Sequence, residues 1–189
     1  SDVYKRQLQK WNPISGRSDY MKINEAVKLV EEKLPKKRYK HSLRVAETAK
    51  HLAQIHKGDV EKAELAGVLH DYAKYDDLSS MYQIVGQYNL DQDLLSYGSE
   101  ILHGPVCAVI MKEKYGIDDQ EVLDAIHFHT TGRAQMSKTE KIVFIADYIE
   151  PKRTIPGVED IREMAEQPGN LDKTCLLYTS DAADDSLRV

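Results

Sequence analysis

Apolar residues recur along much of the chain with a helical period, and each segment with this period has a clear end. Positions 23, 26, 27, 30 and 34 lie on one helical face, and Pro35 ends that helix. The same period continues from about Lys37 to His56 and stops at Gly58. Asp59 is placed to cap a third helix, which ends near the pair His70-Asp71. The first half of the domain is therefore predicted to be helical.

The second half follows the same pattern. Asp118 with Glu121 has the spacing of a capping box for a helix through Phe128, and Ser137 with Glu140 opens a helix that ends before Pro151. The period predicts further helices at about 78–88, 100–114 and 158–166. No segment alternates in the manner of a strand, so we predict an all-α fold.

Both ends of the chain lack this period. Residues 1–20 and 176–189 show no sustained pattern, and their segments SDVYKRQ and LLYTSDAADD resemble translated vector sequence. We therefore expect a non-native flank at 1–20, one domain at 21–175 and a non-native tail at 176–189. A segment of this length is typical of a single domain.

Composition narrows the function classes. A formal net charge of −5 argues against sequence-independent nucleic-acid binding, which usually needs a basic surface. No apolar stretch is long enough to span a bilayer, and no signal peptide begins the chain, so we expect no membrane partner. The two cysteines make no disulfide framework, which favours a cytoplasmic location. We interpret His51 and His56, at the flanks of their helix, as solvated.

Histidine and aspartate residues suggest a metal site. His70-Asp71 follows an apolar helix, His41 lies on the helix before it, and Asp147 lies on the apolar helix IVFIADYIE. Two imidazoles and two carboxylates could converge on one divalent cation between helices. Taken singly, each residue also has an ordinary structural role, such as a buried histidine bonded to a backbone carbonyl.

Five motifs in order carry a resemblance that covers nearly all of residues 21–171. They are RYKHS (38–42), LHDYAK (69–74), LHGPV (102–106), FHTTGR (128–133) and ADYIEPKRTIPGVE (146–159). The set resembles the HD-domain phosphohydrolase superfamily and, within it, the bacterial YqeK-like family of symmetrical dinucleoside tetraphosphatases. The resemblance implies an HD-domain helical bundle with a metal site in its core. It also implies bound iron, with manganese or cobalt as alternatives, and hydrolysis of diadenosine tetraphosphate to two ADP.

The resemblance also assigns roles to individual residues. The implied metal ligands are His41, His70, Asp71 and Asp147. The implied substrate-binding residues around the phosphates are Arg38, His103, His129, Arg133 and Arg153. Asp71, His103 and His129 are the expected catalytic residues; the two histidines could donate to phosphate, protonate a leaving oxygen or hold a second metal. Arg38 precedes His41 by three residues, so both project from one side of a helix.

The expected reaction is attack of metal-bound water on a β-phosphorus, with ADP leaving. Two alternatives stay open at this point: an HD-fold phosphohydrolase acting on another nucleotide, and a non-catalytic nucleotide-binding module that keeps the fold. The expected partners are a dinucleoside polyphosphate and ADP. A homodimer is expected from the resemblance alone.

Overall fold

The computed structural model describes residues 21–177, and within that range the chain forms helices and no strand, which confirms the all-α prediction. The predicted flank at 1–20 and all but the first two residues of the predicted tail lie outside the described residues. The α-helices are α1 (Ile23–Lys33), α2 (Lys36–Ile55), α3 (Val60–Leu69), α4 (Leu78–Gln87), α5 (Ser99–Tyr115), α6 (Gln120–Phe128), α7 (Lys138–Ile149) and α8 (Val158–Ala165). A 3₁₀ helix spans Gln92–Ser96, and residues 171–177 are also helical.

Two of the three predicted N-terminal caps are confirmed. The Asp59 carboxylate accepts a hydrogen bond from the backbone N–H of Lys62, and Ser137 and Glu140 form a reciprocal capping box at the start of α7. The cap of α6 was predicted one residue too early. Asp119, not Asp118, accepts from the backbone N–H of Val122 at 3.1 Å.

Helix α3 lies at the centre of the molecule. Its residues from Leu65 to Leu69 are all buried, and it packs against α1, α2, α6 and α7. A Cβ on Gly67 would lie 2.8 Å from the Cα of Ala46, closer than atoms in contact normally approach. Glycine therefore permits α3 to lie directly against α2. The approach places the two residues that follow α3, His70 and Asp71, next to the α2 residue His41.

A second close approach joins α5 and α6. A Cβ on Gly104 would lie 2.6 Å from the carbonyl oxygen of His127. Because the backbones touch at this point, the neighbouring side chains His103 and His129 are brought side by side. Glycines thus set the spacing of both helix pairs that carry the polar residues described below.

The apolar residues form two buried clusters. The larger contains the inner faces of α1, α4, α5 and α6 with most of α3, and the smaller contains those of α2, α7 and α8. His56, expected in solvent, is buried at the end of α2, where its Nε2 donates to the carbonyl oxygen of Ala165 at 2.8 Å. Among residues 21–177, no helix combines the length and apolar character needed to cross a bilayer.

Candidate active site

The four predicted metal ligands meet at one point in the core. His41 comes from α2, His70 and Asp71 follow α3, and Asp147 comes from α7. The Nε2 atom of His41 lies 3.0 Å from an oxygen of Asp147 and 3.6 Å from an oxygen of Asp71. The Nε2 atom of His70 lies 3.1 Å from the same Asp71 oxygen. The four residues lie far apart in the sequence, but the packing of the helices brings them into a single cluster.

His103 and His129 extend this cluster on the far side of Asp71. The Nε2 atom of His103 lies 3.1 Å from the second Asp71 oxygen and 3.0 Å from the Nε2 atom of His129. Both histidines are buried. One oxygen of Asp71 therefore faces His41 and His70, and the other faces His103 and His129. Together with Asp147, these side chains form one continuous group of six.

All four imidazoles in this group are anchored by their Nδ1 atoms. The acceptors are the Gly67 carbonyl for His70 (2.8 Å), the Ser99 carbonyl for His103 (3.0 Å), the Ile126 carbonyl for His129 (2.7 Å) and the Glu150 carboxylate for His41 (3.2 Å). Because these oxygens can only accept, each Nδ1 carries the hydrogen and donates. A neutral imidazole in that tautomer directs the lone pair of Nε2 toward the centre of the cluster.

Two of those Nε2 atoms have no hydrogen-bond partner among the described residues. They belong to His41 and His70, and both are buried. Carboxylate oxygens lie close by, but the bare Nε2 of a neutral imidazole and a carboxylate oxygen are both acceptors, so this tautomer forms no hydrogen bond with them. A buried polar atom without a partner costs about 1–3 kcal/mol. A cation at the centre would satisfy both nitrogens and both carboxylates.

The donor set fits a divalent metal. Three overlapping triads of its ligand atoms each lie within 4.8 Å of one another: His41, His70 and Asp71; His70, His129 and Asp147; and Asp71, His103 and His129. Imidazole nitrogen combined with carboxylate oxygen suits iron, manganese, cobalt or zinc. The cluster could therefore hold a metal, and its composition does not by itself select one.

The charge state of the carboxylates also favours a bound cation. Burial opposes ionisation of Asp71, but the neighbouring His70 and His103 outweigh it and hold the pKa of Asp71 well below its usual range. Burial likewise opposes ionisation of Asp147, whereas the facing imidazoles of His41 and His70 lower the pKa of Asp147. Both carboxylates are thus ionised near neutral pH, and the buried cluster attracts positive charge.

The pKa values of two imidazoles, those of His70 and His129, shift in opposite directions in this buried cluster. Burial opposes a charge on His70, but Asp71 and Asp147 overcome that effect and raise its pKa. Burial lowers the pKa of His129 to about 3, and repulsion from His70 and His103 adds to this shift. His129 is therefore neutral at physiological pH, and the Thr130 hydroxyl, 3.1 Å from its Nε2, can donate to it.

Two arginines border the cluster. Arg38 donates from Nη1 to Asp71 at 2.8 Å, and Arg153 donates from Nη2 to Asp147 at 2.9 Å. Both side chains are partly exposed. A guanidinium has five N–H donors, so each arginine keeps further donors for an anion.

A cavity of about 410 Å³ opens onto these residues, and we refer to it as the inner cavity. His103, His129, Arg38 and Arg153 all line it, as does Lys74, which forms an ion pair with Glu100 at 2.6 Å. Its volume lies in the range of small-molecule sites, about 300–1,000 Å³. A ligand in this cavity would contact the arginines and the histidine–aspartate cluster together.

Arg133 is the predicted phosphate-binding residue that the structure does not bring to the others. Its guanidinium donates to Glu140 and to Asp124, each at 2.7 Å, and lies 4.4 Å from the centre of the Phe128 ring. These contacts fasten the turn after α6 to the start of α7. The pairing with two acids gives Arg133 a structural role at this turn.

Glu150 is the residue of the site that the sequence did not single out. Its carboxylate is buried and accepts from His41 Nδ1, from Arg44 and from the backbone N–H of Lys152. Burial opposes its ionisation, but these donors lower the pKa of Glu150 to about 2. One signal was available: Glu150 follows Asp147 by three residues, which is one helical turn.

Comparison with known proteins gives matches over most of the chain. The HD domain family model matches residues 38–152. A Staphylococcus aureus protein described as bis(5′-nucleosyl)-tetraphosphatase, symmetrical, is 71% identical over 154 residues, which cover 82% of this chain and 79% of that protein. A Bacillus subtilis protein with the same description is 40% identical over 146 residues, 77% of this chain and 78% of that protein.

A solved structure is also similar. The crystal structure of a predicted HD superfamily hydrolase involved in NAD metabolism from Clostridium acetobutylicum superimposes with a TM-score of 0.82 at 38% sequence identity. The similarity covers 89% of this chain and 88% of that one.

Proposed function

The chain belongs to the HD domain family, together with the symmetrical bis(5′-nucleosyl)-tetraphosphatases that it matches, and we propose that it hydrolyses diadenosine tetraphosphate to two ADP. One observation carries the proposal: four anchored imidazoles and two ionised carboxylates form one cluster, and Arg38 and Arg153 border that cluster at the inner cavity. A polyanionic substrate needs such a combination, because an acidic protein must supply positive charge locally.

His41, His70, Asp71 and Asp147 would hold a divalent cation, and we infer iron, with manganese or cobalt as alternatives. A cation held by these residues would acidify water and neutralise charge on phosphate oxygens. The unpartnered nitrogens of His41 and His70 support this assignment. Glu150 would keep His41 in the tautomer that a ligand requires.

The arginines would bind the substrate. The guanidinium groups of Arg38 and Arg153 each bond a carboxylate along one edge. Their remaining N–H donors lie at the inner cavity, where non-bridging phosphate oxygens would accept hydrogen bonds from them. Charge grows on those oxygens as a phosphoanhydride bond breaks, so donors fixed in advance stabilise the transition state.

Asp71, His103 and His129 would act on the reacting atoms. The low pKa of Asp71 makes it a weak base, so its role is to orient the attacking water. With its hydrogen on Nδ1, His103 directs the lone pair of Nε2 toward an Asp71 oxygen at 3.1 Å and the Nε2 atom of His129 at 3.0 Å, and these three side chains would suit a second metal ion at the phosphate. Attack at a β-phosphorus and cleavage of its bond to the central bridging oxygen would release two ADP.

Product analysis tests the proposal. Protein loaded with iron, manganese or cobalt is incubated with diadenosine tetraphosphate, and the nucleotides are separated by ion-exchange chromatography. Two ADP per substrate is the expected result. Formation of ATP and AMP, or no turnover with any of the three metals, would contradict the symmetrical assignment.

The same experiment addresses the two alternatives. A phosphohydrolase of another nucleotide would prefer a nucleoside triphosphate or monophosphate offered in parallel. A non-catalytic binding module would show no turnover and would keep its nucleotide affinity when Asp71 is replaced by alanine.

We also infer a reducing cytoplasmic location, because Cys107 and Cys175 are buried free thiols. A homodimer stays a prediction, which sedimentation of the full chain would test.

A further inference from the structure

A second cavity, of about 400 Å³, adjoins the inner one, and we call it the outer cavity. The two share three lining residues, Arg38, Tyr75 and Arg153. The shared arginines are the two that contact the Asp71 and Asp147 carboxylates. The boundary between the cavities therefore lies beside the histidine–aspartate cluster.

The outer cavity is basic. Beyond the shared arginines, Lys37, Arg44 and Lys152 line it. Among the described residues that line it, Glu150 has the one carboxylate, which is buried and bonded to Arg44 and His41. Within residues 21–177, neither Lys37 nor Lys152 has an acidic partner for its ammonium group. The inner cavity, in contrast, contains Asp71 and Asp147.

We propose that the outer cavity binds the nucleoside diphosphate half of the substrate that leaves, with its phosphates against Lys37 and Lys152. This inference rests on the proposed function. Symmetrical cleavage requires one β-phosphorus at the cluster, so the second half of the substrate must extend away from it by two phosphates. The outer cavity begins at that point and continues the positive charge.

The size and lining of the outer cavity suit one nucleotide. Its volume of about 400 Å³ lies, like the 410 Å³ of the inner cavity, in the range of small-molecule sites. Tyr75, a residue that is 59% exposed, and Ile155 also line the outer cavity and supply apolar surface for a base. Phosphates would meet cations, and the base would meet these two side chains.

Titration of the metal-loaded full chain with ADP tests the inference, because ADP is one half of the substrate. Calorimetry should give two ADP bound per wild-type chain. The double variant Lys37→Ala/Lys152→Ala should bind one, and its KM for diadenosine tetraphosphate should rise about tenfold or more. The control Lys36→Ala/Lys40→Ala removes the same charge from exposed lysines that line neither cavity, and it should match the wild type.

The outcomes separate this inference from the proposed function. One ADP per wild-type chain, or a double variant that behaves like its control, would overturn the outer site while leaving the hydrolase assignment intact. Two ADP per wild-type chain without hydrolysis would overturn the assignment as a hydrolase and support the outer site. Melting curves of both double variants establish that each is folded.

Discussion

The inner and outer cavities share two arginines but are built on different principles. Beside the inner cavity, Asp71 and the four imidazoles of the cluster are buried, and each imidazole is fixed by a hydrogen bond from Nδ1. In the outer cavity the lysines are exposed and have no acidic partner in the described part of the chain. Bond cleavage requires atoms held in advance, whereas retaining a departing polyanion requires mainly charge. Substitutions should separate these two requirements.

The largest effect is expected from Asp71→Asn, which keeps the shape of the side chain and removes its charge. Asp71 contacts both sets of imidazoles, so kcat should fall on the order of a thousandfold. Elemental analysis of the purified variant should also find less bound metal, a readout that does not depend on activity. Retention of both metal and kcat would show that the inner cavity is not the reaction centre.

Glu150→Ala should have the next largest effect. It removes the anchor of His41 and leaves the other three imidazoles anchored, so metal affinity should fall about 10–100-fold. Competition with a chelator of known affinity measures the change. Glu150→Gln, which keeps an acceptor for His41, should recover part of the loss, while Glu47→Ala on the exposed side of α2 should have no effect. If Gln and Ala lose equally, charge and not positioning is the role of Glu150.

Gly104→Ala tests how the helix packing sets the inner cavity. The added Cβ would lie 2.6 Å from the His127 carbonyl oxygen, so α5 must move away from α6 and carry His103 with it. We expect a loss of about 1–3 kcal/mol in the free energy of unfolding, measured with urea, together with a lower kcat. Gly86→Ala is the matched control: its Cβ would have open space in α4, and it should slightly stabilise the fold.

Arg133→Ala should have the smallest effect, and mainly on stability. It leaves the buried Glu140 carboxylate with fewer donors, which should cost about 1 kcal/mol in the free energy of unfolding. Thermal melting and steady-state kinetics on one preparation measure both quantities. A rise in KM without a loss of stability would instead support the phosphate-binding role that the family resemblance assigns to Arg133.

Local sequence signals were sufficient for α1 to α8 and largely for their ends, but they did not predict the 3₁₀ helix or the helical residues 171–177. Pro35, Gly58 and Pro151 mark boundaries through backbone chemistry alone. The cap of α6 was missed by one residue because Asp118 and Asp119 are the same residue type, so composition could not choose between them. Packing decides the register, since Val122, whose N–H is capped, is a core residue.

Contacts between residues far apart in the sequence could not be predicted. Glu150 acquires its role from Arg44 and His41, 106 and 109 positions away, and the burial of His56 depends on Ala165, also 109 positions away. The phosphate-binding role expected for Arg133 stays a prediction. Its motif suggested a ligand contact, whereas nearby acids occupy its donors. Residue types identified the members of the histidine–aspartate cluster, but the partners that orient them came from tertiary structure.

The anchoring of the imidazoles has a consequence for how the gene can vary. Three of the four acceptors are main-chain carbonyls, those of Gly67, Ser99 and Ile126, which every amino acid supplies. Their hydrogen bonds can therefore survive codon changes at these positions as long as the helices keep their paths. The fourth acceptor is the Glu150 side chain, which a single base change can replace with lysine or glycine. The supports of three imidazoles thus do not depend on a side chain, although the close contact with Ala46 still restricts position 67 to glycine. The support of His41 does depend on a side chain.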